Sequence, residues 1–126
     1  MKRREFVSAV PAAAVAAQSG PASPIIKPKM MRPGDTVGLI SPSTFVADPN
    51  QLQTMQLTAQ MFGWKTKIGK QVGRREGQLG ESIPGRIADI HTMFADPEVK
   101  GIICVRGGYG TPQLLDGLDY ELIRKN

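Results

Sequence analysis

Gly101-Ile102-Ile103-Cys104-Val105 is an apolar run without polar alternation, and it passes directly into Arg106-Gly107-Gly108-Tyr109-Gly110. A run rich in β-branched residues and lacking a period of two is what a strand buried on both faces of a parallel sheet requires. A glycine loop at its end, followed by a helix start, puts a ligand site at the carboxyl end of that strand, where open α/β sheets hold their ligands. The pattern predicts an α/β fold and a site at residues 106–110. Cys104 lies within the run and is expected to be a small buried hydrophobe. As the single cysteine it excludes an internal disulfide and any multi-cysteine metal site.

The same kind of unit recurs upstream. Arg32-Pro33-Gly34-Asp35 is turn chemistry, and Thr36 to Ser41 reads as a short buried strand that Pro42 ends. Ser43, Thr44 and Asp48 suit a lead-in to a helix. Leu52, Met55, Ala59 and Phe62 recur at spacings of three and four, predicting one apolar helix face from about Pro49 to Phe62, closed by Gly63. Trp64 to Ile68 reads as a second strand, placed toward an edge by its alternating lysines. Residues 72–80, rich in glycine and charge, read as a loop without order.

Ile83, Ile87, Ile90 and Phe94 mark a second helix, with Pro84 tolerated in its first turn and Asp96-Pro97 stopping it. Thr111 to Leu118 and Asp119 to Lys125 read as short helices. Strand and helix alternate throughout, so residues 25–126 are expected to form a small parallel βαβ sheet of the Rossmann or flavodoxin-like kind. Three strands leave an unfinished edge, an aggregation surface if nothing covers it.

Residues 1–24 carry a different pattern. Lys2-Arg3-Arg4 precedes a short, weakly apolar, alanine-rich run to Ala17, which reads as a signal peptide of the twin-arginine type, cleaved near Ala17. The alternative is an alanine-rich disordered tail. The run is much shorter than the roughly 20 residues a membrane span needs, so no stable span is expected. Pro21, Pro24 and Pro28 make Gln18 to Lys29 a linker. The signal-like pattern places the protein outside the cytoplasm, in the periplasm.

The formal net charge is +5, of which Lys2, Arg3, Arg4 and Glu5 supply +2. The remaining basic residues form two clusters, Lys27, Lys29, Arg32 and Lys65, Lys67, Lys70, Arg74, Arg75, neither interleaved with stacking aromatics. No nucleic-acid partner is expected. The sole histidine, His91, has no spaced His, Cys or carboxylate partner and reads as structural, so no metal is expected. Asp96 with Glu98, and Asp116 with Asp119, read as caps rather than acid/base pairs.

Ser41 and Ser43 follow the first strand but lack a Gly-x-Ser-x-Gly surround, which favours capping or contact with a ligand over nucleophilic chemistry. In Arg106 to Gly110 the glycines let backbone N–H groups approach a ligand, and a helix N-terminus just beyond would favour a carboxylate or oxyanion. Such a loop on its own is equally compatible with plain turn geometry.

Three blocks, Arg32 to Ser43, Met93 to Gly110 and Leu118 to Arg124, together resemble the LD-carboxypeptidase family of serine peptidases, which includes the muramoyltetrapeptide carboxypeptidases and the microcin C self-immunity peptidases. The resemblance runs from Lys29 to the end. It implies a hydrolase that removes the carboxy-terminal residue of a murein tetrapeptide through a Ser-His-Glu triad and an acyl-enzyme, with no cofactor. It further implies that Gly107 and Gly108 contribute to the oxyanion hole and substrate cleft. Arg106, Tyr109 and Gly110 would shape that loop, and Ser41 and Ser43 would lie on the substrate side.

The family's nucleophile follows the block matching Leu118 to Arg124, and its Glu and His lie in a carboxy-terminal domain, so none of the three has a counterpart in this sequence. The resemblance therefore implies an amino-terminal domain that needs a missing carboxy-terminal domain and is inactive alone. A homodimer is among the states it allows for the full-length form. Two other readings stand beside it, a non-catalytic module that binds peptidoglycan peptides and one half of a split peptidase.

Overall fold

The computed structural model describes residues 25–126. The expected signal segment and the start of the linker, residues 1–24, lie outside the described residues. Residues 25–32 form no helix or strand, and Ile25 and Met30 are almost fully exposed.

The chain then alternates as the sequence predicts: β1 (Thr36–Ile40), α1 (Pro49–Met61), β2 (Lys65–Ile68), α2 (Ile83–Ala95), β3 (Val99–Cys104), a 3₁₀ segment (Thr111–Gly117) and α3 (Tyr120–Lys125). The strands form one parallel sheet in the order β2-β1-β3. The first of the two short helices expected near the end is the 3₁₀ segment instead of an α-helix.

Period-two geometry divides the core between the two sheet faces. Val37 and Leu39 point to one side, where Leu52, Met55 and Ala59 of α1 meet them with Val46 and Val105. Ile40 points to the other, with Ile90 and Met93 of α2 and Leu114 of the 3₁₀ segment. Gly38 lies on that second face, where a Cβ would come 2.7 Å from Met93 Sδ. The helix ends are satisfied locally: Asp48 accepts from Asn50 N–H at 2.9 Å, Ser82 from Gly85 N–H at 3.3 Å and Asp119 from Leu122 N–H at 2.9 Å.

Four expectations change. β1, between two strands, is the buried strand, whereas β3 lies at an edge of the described sheet and is half-buried, with Lys100 and Cys104 exposed. Burial on both faces requires a neighbour as well as an apolar sequence, and β3 has a neighbour on one side only. Cys104 is therefore exposed instead of buried, yet partial desolvation of its sulfur pushes the thiol pKa up, away from the reactive thiolate. Phe62 is 58% exposed and stacks on Trp64 with ring centroids 4.9 Å apart, outside the α1 core face. Residues 72–80 are organised: Glu76 N–H donates to Gly80 O at 2.8 Å, and Leu79 forms bridges with Thr44 and Glu76.

Three carboxylates fasten β2 and the turn that follows it. Lys67 reaches across to Asp96 and, at 3.3 Å, to Glu98, and Asp96 also accepts from Glu98 N–H at 2.9 Å. Beyond the carboxyl end of β2, Asp89 of α2, 6% exposed, accepts from Gln71 N–H at 2.9 Å. Gly69 lets it close in, since a Cβ there would stand 2.9 Å from Asp89 Cγ.

Burial pushes the Asp89 pKa above the ordinary 3.8, against the opposing pull of the Gln71 and Lys70 N–H groups and the Lys70 and Arg74 charges. The hydrogen bond from Lys67 holds Asp96 below that value. As pH falls toward 3.8 through the raised pKa of Asp89, the folded state takes up its proton before the unfolded chain does, so the Asp89 contribution to stability grows on acidification. Below 3.8 Asp96 acts in the opposite sense, its contribution being lost as pH falls through its depressed pKa. Asp89→Asn keeps an acceptor for Gln71 N–H and is expected to flatten the rise in urea midpoint as pH falls toward 3.8. Equal pH slopes in wild type and variant would show that Asp89 ionises alike in both states.

Candidate functional site

The carboxyl ends of β1 and β3 lie side by side, and the ladder continues past β3 as Val105 N–H donates to Ile40 O at 2.8 Å. Two loops therefore leave the sheet together, Ser41 to Ala47 after β1 and Arg106 to Gly110 after β3. Gln51 of α1 adds a longer bond from its Nε2 to Val105 O at 3.4 Å.

Ser43 joins the loops. It is fully buried, and its Oγ accepts from Gly110 N–H at 2.8 Å while its carbonyl accepts from Gly80 N–H at 2.7 Å. Ser41, also buried, donates its hydroxyl to Thr44 O at 2.7 Å. Both serines expected as caps or ligand contacts thus have their hydroxyls engaged within the loop frame.

Gly108 has φ +145°, a conformation that side chains rarely adopt. A Cβ there would run into Thr44 Oγ1 and stand 2.7 Å from Ser43 Oγ, so the glycine is what lets the loop after β3 lie against the loop after β1. Gly107 is the opposite case, with open space where a side chain would project. Arg106, Gly107, Gly108 and Tyr109 are all exposed, and among the described residues their N–H groups donate to no protein acceptor. An exposed turn of unspent N–H donors has the chemistry to receive a carboxylate or a developing oxyanion. The seven-residue 3₁₀ segment that follows begins at Thr111.

The residue that holds this arrangement belongs to none of the sequence motifs. Arg86 of α2 is 2% exposed. Its Nε donates to Glu81 O at 2.7 Å, Nη1 to Pro42 O at 2.9 Å and to Gly110 O at 3.1 Å, and Nη2 to Gln113 Oε1 at 3.1 Å. The signal for it was its position, three residues after Ile83 and four before Ile90, inside the apolar stripe of α2.

The other candidates separate from the site. His91 Nε2 accepts from Asp119 N–H at 2.9 Å and so joins α2 to the start of α3. Asp119 is a helix cap, as expected. Among the described residues no group of three or more His, Cys, Asp or Glu side chains could hold a metal ion.

Residues 37–126 match the LD-carboxypeptidase N-terminal domain. The chain belongs to the LD-carboxypeptidase family. It is 42% identical over 100 residues to the probable murein peptide carboxypeptidase of Bacillus subtilis, covering 79% of this chain and 31% of that one. To the murein tetrapeptide carboxypeptidase of Pseudomonas aeruginosa it is 33% identical over 84 residues, covering 67% of this chain and 27% of the other.

Among solved structures, an MccF-like protein from Bacillus anthracis superposes with a TM-score of 0.76 at 30% identity, over 81% of this chain and 32% of that one. The muramoyltetrapeptide carboxypeptidase from Oxalobacter formigenes gives a TM-score of 0.61 at 26% identity, over 71% and 30%. The chain spans about a third of the length of these relatives.

The two exposed glycines should respond differently to one methyl group. Gly108→Ala is expected to lower stability by about 1–3 kcal/mol, from backbone strain and displacement of the loop. Gly107→Ala is expected to stay within about 0.5 kcal/mol of wild type. Denaturant midpoints check both, and equal effects would mean that the loop is not held against Thr44 and Ser43.

Proposed function

We propose that this chain is the amino-terminal part of an exported serine LD-carboxypeptidase that releases the carboxy-terminal residue of peptidoglycan stem peptides. The observation that carries the reading is the loop at Gly107 and Gly108, with unspent N–H groups at the carboxyl end of β3, in a member of this family. There the loop would receive the scissile carbonyl oxygen as it becomes an oxyanion, with Arg106, Tyr109 and Gly110 setting its shape and Ser43 bracing it from behind. The nucleophile, its base and its orienting carboxylate belong to the carboxy-terminal remainder of such an enzyme. The chain alone would bind but not cleave.

A cavity of about 250 Å³ runs along β3, lined by Pro28, Met93, Phe94, Val99, Gly101 and Ile102 among others. A cavity with a mixed lining, Lys100 and Asn126 beside the apolar side chains, along an edge strand supports this as the place where the remainder joins the sheet. No helix among the described residues is long and apolar enough to cross a membrane, and the export reading rests on Arg3-Arg4 and the alanine-rich run that follows.

Two measurements test the proposal. Adding a murein tetrapeptide to the purified chain is expected to shift the Gly107 and Gly108 amide resonances without releasing the terminal D-amino acid. Unmoved resonances would remove the substrate reading, and release would overturn the inactivity of the isolated chain. Residues 1–24 fused to a folded reporter are expected to export it, and replacing Arg3 and Arg4 together by lysine is expected to stop export. Export unaffected by that replacement would reject the twin-arginine route.

A further inference from the structure

A guanidinium taken out of water costs several kcal/mol unless its N–H groups are met, and Arg86 meets that cost in an uncommon way. All four of its hydrogen bonds go to neutral oxygens, three backbone carbonyls and the Gln113 side chain. Among the described residues no carboxylate lies within ion-pair distance of it. Its acceptors come from separate parts of the chain: Pro42 after β1, Glu81 before α2, Gly110 after β3 and Gln113 in the 3₁₀ segment. Two glycines make room for it. A Cβ on Gly110 would stand 3.0 Å from Arg86 Nη1, and one on Gly80 would stand 3.4 Å from Arg86 Cδ.

We propose that Arg86 is the positioning residue of the glycine loop: its buried guanidinium fixes Gly110 against Pro42 and so sets the direction in which the Gly107 and Gly108 N–H groups face. At 2% exposure it cannot touch a substrate itself, and it acts through the backbone it holds. Only a planar fork of donors serves three loops at once, because a lysine ammonium offers one compact point on a flexible stem. The inference rests on the reading of Gly107 and Gly108 as the oxyanion-binding pair and adds what aims them.

The test reads two amides. Gly110 N–H, bonded to buried Ser43 Oγ, reports on the loop, and Val105 N–H, bonded to Ile40 O, reports on the adjacent sheet. In the 126-residue chain, Arg86→Lys is expected to speed hydrogen exchange at Gly110 about tenfold and to leave Val105 within about twofold of wild type. It should also shift the Gly107 and Gly108 resonances. Equal acceleration at both amides, or none at Gly110, would overturn the proposal, since a merely structural residue loosens sheet and loop alike.

If Arg86→Lys does not fold, Gln113→Ala decides, because Gln113 is exposed and supplies one acceptor. Faster exchange at Gly110 alone supports the proposal, and an unchanged Gly110 rejects it. All these readings are taken without peptide, so failure of the chain to bind a murein tetrapeptide would leave them intact. A loop indifferent to Arg86 would likewise leave the peptide titration to be judged separately.

Discussion

The buried guanidinium of Arg86 is the constraint on which the site end of the molecule depends. In a parallel sheet the loops leaving the strand ends have no ladder to order them, so something else must fix their mutual position. Here it is a cation that cannot remain buried unless carbonyls from several loops surround it. The penalty for an unmet buried N–H makes the arrangement cooperative, because withdrawal of one loop leaves a charged donor unsatisfied. Surface pairing of Lys67 with Asp96 and Glu98 has no such leverage, because solvent replaces either partner at little cost.

Around that cation the loops divide the work. Ser43 accepts from Gly110 N–H on its hydroxyl oxygen and from Gly80 N–H on its carbonyl, so one fully buried residue links three segments. Gly108 and Gly110 allow the backbones to approach, and Gly107 leaves open space beside the exposed N–H groups. β1 is buried between its two neighbours and provides the rigid base, and its alternate side chains hold α1 on one face and α2 on the other. A loop placed on a base of that kind can keep polar groups directed outward without a metal or disulfide to stiffen it.

Much of this was legible from residue order. The strand and helix alternation, the parallel sheet, the edge position of β2 and the caps at Asp48 and Asp119 follow from periodicity and turn chemistry, and the structure keeps them. The glycine loop was legible as a loop. Arg86 and Asp89 were hidden because a hydrophobic pattern sorts residues by type, and a charged residue inside an apolar stripe is read as a break in it. Both lie within one helical turn of Ile90, on the side of α2 that faces the sheet, and that placement was the available signal. Cys104 and β3 were misjudged for another reason: burial of a strand depends on what pairs with it, which its own residues do not encode.

β3 has the composition of an interior strand and the exposure of an edge, and its loop carries unspent N–H groups that are in contact with water. Oxyanion stabilisation by such groups is large only where water is excluded, because bulk solvent screens the dipoles and competes for the donors. Tyr109, 74% exposed, leaves the loop open to solvent. On the proposed reading, a neighbour laid along β3 would cover the groove beside Val99 to Ile102 and dry the loop at the strand's carboxyl end in the same step. Folding of the whole sheet and assembly of an effective oxyanion site would then be a single event. The amino-terminal domain would contribute donors already aimed by Arg86, and the remainder would contribute the nucleophile and the low-dielectric surroundings in which those donors become effective.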